Sequence, residues 1–267
     1  MLTLCYASLY LLLLGAPGET FEDSKAERAT FLREAEVIGQ ETMSTGITRP
    51  QLVELRHNGV TRRAVFKGFE ADFPRRVMTV GLEQQQGLRD SWKFEVAAYE
   101  LDQLLGLGMV PVTVVREVAG HEGALMDFVE DILPDFETSP DGFSLDDWQK
   151  QVEAVWFFDY LAYNIDRTPE NLLVTKGFKI RLIDHTRAFQ SFLRPMRPLS
   201  RFPQLAIDRL RTLEEDDFEE ALGSYLDGDE MEALLERRKR LLEHVDRLLE
   251  EHPKEDVFFS SSEGEQP

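Results

Sequence analysis

The sequence predicts an α+β chain folded as two lobes with a cleft between them. Three observations lead there. Alternating, strand-like runs surround a single strong helix in the first half of the chain. Residues 131–145 are rich in Pro, Asp, Gly and Ser, as a linker is. From Asp146 onward the pattern is mainly helical, with one hairpin. The expected division is a signal peptide at 1–18, a β-rich first lobe at 19–130, a linker at 131–145, a helical second lobe at 146–255 and a disordered tail at 256–267.

At 267 residues the chain can bury one substantial core or two lobes that share a cleft. Its formal charge of −20 argues against nucleic acid and against an anionic membrane surface, since both need a basic face. The run from Met1 to Leu14 is apolar but shorter than the roughly 20 residues of a spanning helix. It fits the core of a signal peptide, with Gly15 and Ala16 near the cut. A basic n-region is missing and Leu14 is a poor residue at the −3 position. Export to the periplasm or the medium is the expectation if residues 1–16 are removed; otherwise the chain is cytoplasmic. Cys5, the only cysteine, lies in this run, so the mature chain holds no disulfide and no Cys-ligated metal.

Taken in order, Ala26–Ile38 reads as a helix in which Phe31, Leu32, Ala35 and Ile38 share a face. Residues 39–50 carry loop chemistry. Leu52–Arg56 and Arg63–Phe69 alternate like strands and flank Asn58-Gly59, a strong hairpin signal. Residues 70–90 are polar and irregular. Trp92–Leu105 is a helix of good formers, capped by Asp90 or Ser91 and ended by Gly106 and Gly108. Val110–Arg116 and Gly123–Glu130 read as strands, the first beginning at an edge because of Pro111. Asp147–Tyr163 is one long helix, buried near its end. Leu172–Thr175 and Phe178–Ile183 form a hairpin through Lys176-Gly177. Residues 204–226 and 229–251 are helical, and no internal repeat is present.

The chemistry concentrates in Asn164-Ile-Asp166-Arg167-Thr-Pro-Glu-Asn171 and in Arg181-Leu-Ile-Asp184-His185. An ordinary Asp/Asn/Pro turn explains the first group taken alone. The apolar strand that follows Asn171, and its return to Asp184, brings an amide and a carboxylate to one end of a hairpin. That pair suits Mg²⁺ or Mn²⁺. One further carboxylate must then accept or orient the proton of an attacking hydroxyl.

Lys67 ends an apolar strand, where it either guards a sheet edge or reaches nucleotide phosphates. Glu95 on the next helix is its natural partner, with Glu100 competing for the role. Arg167 either pairs with a cleft acid or is solvated. Asp159, in a very apolar helix segment, either ties down the loop at Asp166 or faces solvent. Gly46 and Thr48 sit just before a strand, where backbone N–H groups can approach phosphates; a simple turn is the alternative. No Gly-Lys-Ser/Thr phosphate loop, no Gly-x-Ser-x-Gly and no His metal spacing is present.

In order and spacing from about residue 37 to 190, this set resembles the protein kinase-like superfamily. Asn-x-Asp-Arg and Asp-His stand where ordinary eukaryotic kinases carry His-Arg-Asp and Asp-Phe-Gly. The Asn-x-Asp-Arg form resembles the phosphatidylinositol 3- and 4-kinases and the Golgi secretory-pathway kinases. The stretch Glu-Val-Ala-Ala-Tyr-x-Leu-Asp-x-Leu-Leu-Gly-Leu-x-Met-Val-Pro resembles the secretory kinases and bacterial proteins like them.

The resemblance implies ATP with Mg²⁺ or Mn²⁺ as cofactors and a hydroxyl-bearing acceptor. Lys67 binds phosphates and is oriented by Glu95, and Asp166 is the catalytic acid/base. Asn171 and Asp184 bind metal. Met126 to Glu130, with Phe128 among them, form the hinge that meets adenine through backbone groups. The chain departs from the family in lacking a Gly-x-Gly-x-x-Gly loop, a glycine after Asp184 and the secretory kinases' disulfides. The missing glycine-rich loop and the atypical Asp184-His185 keep open a nucleotide-binding pseudokinase that serves as an interaction module; AMP transfer with a flipped nucleotide is a third reading.

Overall fold

The structure, a computed structural model, describes residues 24–43, 49–80, 83–133, 143–193 and 199–260. The chain runs α1 (Lys25–Glu34), β1 (Glu36–Thr42), β2 (Gln51–His57), β3 (Val60–Lys67), β4 (Glu70–Asp72), β5 (Val77–Val80), β6 (Glu83–Gln86), β7 (Arg89–Ser91) and α2 (Lys93–Leu105). It continues through β8 (Thr113–Val118), β9 (His121–Asp127), α3 (Leu145–Ala162), β10 (Leu172–Val174) and β11 (Ile180–Leu182). Last come β12 (Phe202–Pro203), α4 (Gln204–Thr212), α5 (Glu215–Leu222), α6 (Gly228–Glu251), α7 (Lys254–Val257) and β13 (Phe258–Phe259).

The first lobe is an antiparallel sheet in the order β1-β2-β3-β9-β8. Its centre is the hairpin expected from Asn58-Gly59. Both residues take positive φ, 49° and 80°, which is what a two-residue turn between right-twisted strands requires. Strand periodicity then sorts β3: Ala64 and Phe66 enter the main core with Val53, Leu55 and Leu125. Val65 and Lys67 face the other way. Register places Met126 opposite Val65 and Ala124 opposite Lys67. α2 lies against this second face, where Val96 packs on Ala124.

Four local expectations are corrected. The first helix stops at Glu34 and Glu36–Thr42 is an edge strand, so Val37 and Ile38 belong to β1. Arg116 on β8 donates to the carbonyls of Leu32 and Ala35, which satisfies the helix end. The polar stretch 70–90 forms two ribbons, β4 with β7 and β5 with β6. Asp90 and Ser91 belong to β7, and Trp92 is the N-cap of α2, although Ser91 Oγ accepts from Lys93 N at 3.2 Å. Residues 204–226 break at Leu213-Glu214, where Glu214 and Asp217 form a capping box that starts α5.

The second lobe packs α3 and α6 around a core that includes Phe157, Phe158, Leu161, Leu234 and Val245. α4 and α5 of this lobe also touch α2 of the first. α2 is accordingly buried along most of its length, and Gly106 ends it at φ 70° beneath the Arg209 guanidinium. Asp131–Leu133, expected in the linker, already lie on the second lobe: Ile132 bridges Thr175 and Leu133 N donates to Val174 O. Residues 256–260, expected in the tail, include the end of α7 and β13. Buried Val257 and Phe259 anchor them, and β13 pairs with β12. The N-terminal run, most of the linker and residues 261–267 lie outside the described residues. No helix among the described residues is long and apolar enough to cross a membrane.

Candidate active site

Strand alternation puts Lys67 on the cleft face, and the structure gives it two carboxylates. Its Nζ lies 2.5 Å from Glu95 Oε1 and 2.8 Å from Asp184 Oδ1. The partner is therefore Glu95; Glu100 lies one turn further along α2, in the field of Arg33. Burial works against the charge on both members of the Lys67–Glu95 pair. On the lysine, Glu95 and Asp184 outweigh it and hold the pKa above the ordinary range. On the glutamate, Lys67 and His185 outweigh it and hold the carboxyl well below its ordinary range. Val65, Lys67, Glu95, Ala124 and Met126 line a small pocket here. Next to it Val65, Met126 and Phe128 form an apolar cluster with Met43, Leu52 and Ile183.

The loop after α3 is built by its polar side chains. Tyr163 closes the helix at φ 46°, and Asn164 Oδ1 accepts from Asp166 N at 3.2 Å. Pro169–Asn171 makes a single 3₁₀ turn into β10. Asn171 Nδ2 donates to Asp166 O at 2.9 Å, which commits the amide nitrogen and leaves Oδ1 as the free end. The ladder pairs Leu172 with Leu182, and Ile183 N donates to Asn171 O at 3.2 Å, so the backbone places Asn171 and Asp184 at the same end of the hairpin.

Arg167 laces this assembly together. Its Nη2 and Nε clasp buried Asp159, and its Nη1 donates to Asn171 O at 3.0 Å and Ile183 O at 2.9 Å. Both open questions about these residues resolve toward pairing. Asp184 itself takes φ 62°, a left-handed conformation that Asp tolerates better than most residues and that re-aims its side chain across the cleft.

Two residues of the site, His185 and Arg187, were given no role in the sequence. His185 is fully buried, with Nε2 3.0 Å from Arg167 Nη2 and Nδ1 3.4 Å from Glu95 Oε2. Arginine only donates, so Nε2 accepts and Nδ1 carries the hydrogen toward Glu95. Burial holds this imidazole below its ordinary pKa, and the neutral ring fits both partners. Arg187 bridges the lobes: Nε donates to Asp90 Oδ2 at 2.8 Å and Nη1 to Asp166 Oδ2 at 2.9 Å. A lone arginine in the otherwise uncharged run Thr186–Gln190 was the available signal, since such a cation needs an acid.

The donors suit a hard divalent cation. Asn171 Oδ1 and Asp184 Oδ2 have no partner among the described residues, and both are oxygen ligands. No group of three or more His, Cys, Asp or Glu among the described residues is gathered for a metal. Two protein oxygens are what Mg²⁺ or Mn²⁺ takes when nucleotide phosphates and water complete its shell. Of the residues expected to contact nucleotide, Met126 and Phe128 border the pocket, whereas Gly46 and Thr48 lie outside the described residues. The N–H groups of Asp127 and Phe128 are spent on Val112 O and Arg63 O, so those two donors are not free for an adenine edge.

No family model matches the chain, and no curated protein matches it in sequence. Solved structures match it in fold. A structure of hydra Fam20 with sugar superposes with a TM-score of 0.61 at 15% identity, covering 88% of this chain and 91% of that one. The Golgi casein kinase with Mn/ADP bound gives a TM-score of 0.59 at 14% identity, over 88% of this chain and 78% of that one. The Helicobacter pylori proinflammatory kinase CtkA gives 0.51 at 10% identity, over 82% and 98%. The chain has the two-lobed, atypical kinase-like fold of these proteins.

Proposed function

We propose that the protein is an atypical kinase, which uses ATP and Mg²⁺ or Mn²⁺ to phosphorylate a hydroxyl. One observation carries this reading: Lys67 Nζ is held between Glu95 and Asp184, 2.5 and 2.8 Å away, beside the hairpin that also presents Asn171. Lys67 holds the nucleotide phosphates, and Glu95, fixed by His185, fixes Lys67. Val65, Met126 and Phe128 offer an apolar surface to the adenine ring, and Gly46 and Thr48 are assigned from sequence to the phosphates. Asn171 and Asp184 hold the metal, which neutralises charge on the phosphate oxygens. Asp166 receives the proton of the acceptor hydroxyl as that oxygen attacks the γ-phosphorus.

The acceptor is a protein Ser/Thr, a sugar or a lipid headgroup. The solved neighbours include a Fam20 with sugar and a casein kinase, so both sugar and protein acceptors belong in the first assays. Residues 19–130 form the nucleotide-covering lobe, and residues 146–255, joined by Asp131–Leu133 and by β13, form the catalytic lobe. Mass spectrometry of the mature N-terminus tests export: loss of residues 1–16 supports it, and an intact Met1 or Leu2 refutes it.

The missing glycine after Asp184 favours, as second reading, a chain that binds nucleotide without transfer. Thermal shift with Mn²⁺-ATP beside a γ-phosphate transfer assay separates the two. Transfer that disappears in Lys67→Ala and Asp184→Ala supports the kinase reading. A shift without any transfer in the wild type supports the second.

A further inference from the structure

We infer that Arg187 is a further catalytic residue of this cleft: it clamps Asp166 by one carboxylate oxygen and offers its remaining nitrogen to the phosphoryl group in transit. The inference rests on the phosphotransferase reading above.

The guanidinium is aimed from both ends. Asp90 anchors it through Nε at 2.8 Å, and Asp166 Oδ2 receives Nη1 at 2.9 Å. Nη2 has no partner among the described residues. The chain on either side is pinned to β7, by the Thr186 carbonyl before Arg187 and by the Gln190 side chain after it. Ser91 N donates to Thr186 O at 2.8 Å, while Gln190 Nε2 donates to Arg89 O at 2.7 Å and Gln190 Oε1 accepts from Arg89 N at 3.1 Å.

A plain ion pair explains only half of this. Asp90 is buried, its Oδ1 lacks a partner, and it needs a counter-charge. That need is met by one edge of the guanidinium. The other edge reaches a half-exposed acid of its own lobe, where partial exposure to water weakens what the pair contributes to stability. The gain is orientation. With Oδ2 engaged, Oδ1 is the oxygen left to take the acceptor's proton.

The same placement suits the transferring group. In the reaction the acceptor oxygen bonds to the γ-phosphorus, and the bond from that phosphorus to the β,γ-bridging oxygen breaks. The hydroxyl proton passes to Asp166 Oδ1, and ADP leaves. Negative charge spreads over the three equatorial oxygens in the transition state. Lys67 serves the phosphates from the Glu95 and Asp184 side. A second cation beside Asp166 stabilises the group as it passes to the acceptor, which is the task of an arginine supplied in cis.

The test uses the full chain with Mn²⁺-ATP and water or its own hydroxyls as acceptor. It measures kcat for γ-phosphate release or transfer, Kd for Mn²⁺-ATP and Tm, in Arg187→Gln, Arg187→Lys and Asp184→Ala. Expected for Arg187→Gln is a kcat about 10²–10³-fold lower with Kd unchanged. Arg187→Lys keeps a counter-charge for Asp90, so it folds as the wild type does. It recovers only part of kcat, because an ammonium cannot hold two oxygens in a fixed fork. Wild-type kcat in either Arg187 variant, while Asp184→Ala is inactive, overturns the role of Arg187 alone. A fall in Tm and nucleotide affinity with kcat preserved also overturns it, leaving a structural ion pair. A wild type without turnover overturns the phosphotransferase reading, and this assignment with it.

Discussion

Glu95 and Asp166 are carboxylates of the same cleft held in opposite ways. Glu95 is 3% exposed and has Lys67 on one oxygen and His185 on the other. Asp166 is 42% exposed, with Arg187 on one oxygen and the other unbonded among the described residues. On the proposed kinase reading, the difference separates scaffold from reagent. A buried carboxylate locked to a lysine has one protonation state and one geometry, so it can place a neighbour but not exchange a proton. A half-wet carboxylate with a free oxygen can do the exchange, and needs only to be aimed.

The contrast is broken most directly from the buried side. Lys67→Ala strips the counter-charge from Glu95, so urea unfolding is expected to show a loss of about 3–5 kcal/mol together with loss of turnover. Equal stability would mean that Glu95 finds another partner or a proton.

Asp166→Asn tests the exposed side. Turnover is expected to fall about 10²–10⁴-fold while stability stays within about 1 kcal/mol of wild type. A variant that unfolds instead would place Asp166 in the scaffold.

A third acid sharpens the comparison because it shares α2 with Glu95. Asp102 is equally buried but accepts from the backbone N–H groups of Gly108, Met109 and Val110 rather than from a lysine. Burial pushes its carboxyl up to about 6. The folded state then holds the proton more tightly than the unfolded state. Its contribution is fully present below the unfolded carboxyl's pKa and is lost as pH rises through about 6. Between pH ~4 and ~6 this one group should lower stability by up to about 3 kcal/mol as pH rises. Urea titrations across that window should lose this slope in Asp102→Asn; a slope that persists would assign it to other acids.

The smallest effect belongs to the surface. Glu130 meets Arg63 at 2.6 Å but is 60% exposed, so Glu130→Gln should change stability by less than about 1 kcal/mol. A larger loss in thermal unfolding would show that this pair braces the junction after β9.

The site was legible in the sequence where its signals are local. Strand alternation marked Lys67, and turn chemistry followed by an apolar strand marked Asp166, Asn171 and Asp184. Asn58-Gly59 and Gly106 marked the ends of elements because their backbones need positive φ. What stayed hidden depends on partners far along the chain. Glu95 and Glu100 are equivalent as letters on one helix, and only docking against β3 distinguishes them. The helix-to-strand change at Ala35 is set by Arg116, 81 residues later, which caps carbonyls no local pattern reveals. The ribbons of 70–91 lack apolar alternation, so nothing in their composition declares a strand. Arg187 and Asp90 lie 97 residues apart, and neither is informative alone.

The central claim is that the Lys67–Asp184 cleft transfers the γ-phosphoryl group of ATP. The direct measurement is incorporation of label from γ-labelled and α-labelled ATP with Mn²⁺, using pooled protein, glycan and lipid acceptors and the Asp184→Ala variant as control. Label is expected to enter an acceptor from γ-labelled ATP only, and only with the wild-type chain. Incorporation from α-labelled ATP, or γ-label transfer undiminished in Asp184→Ala, would contradict the account.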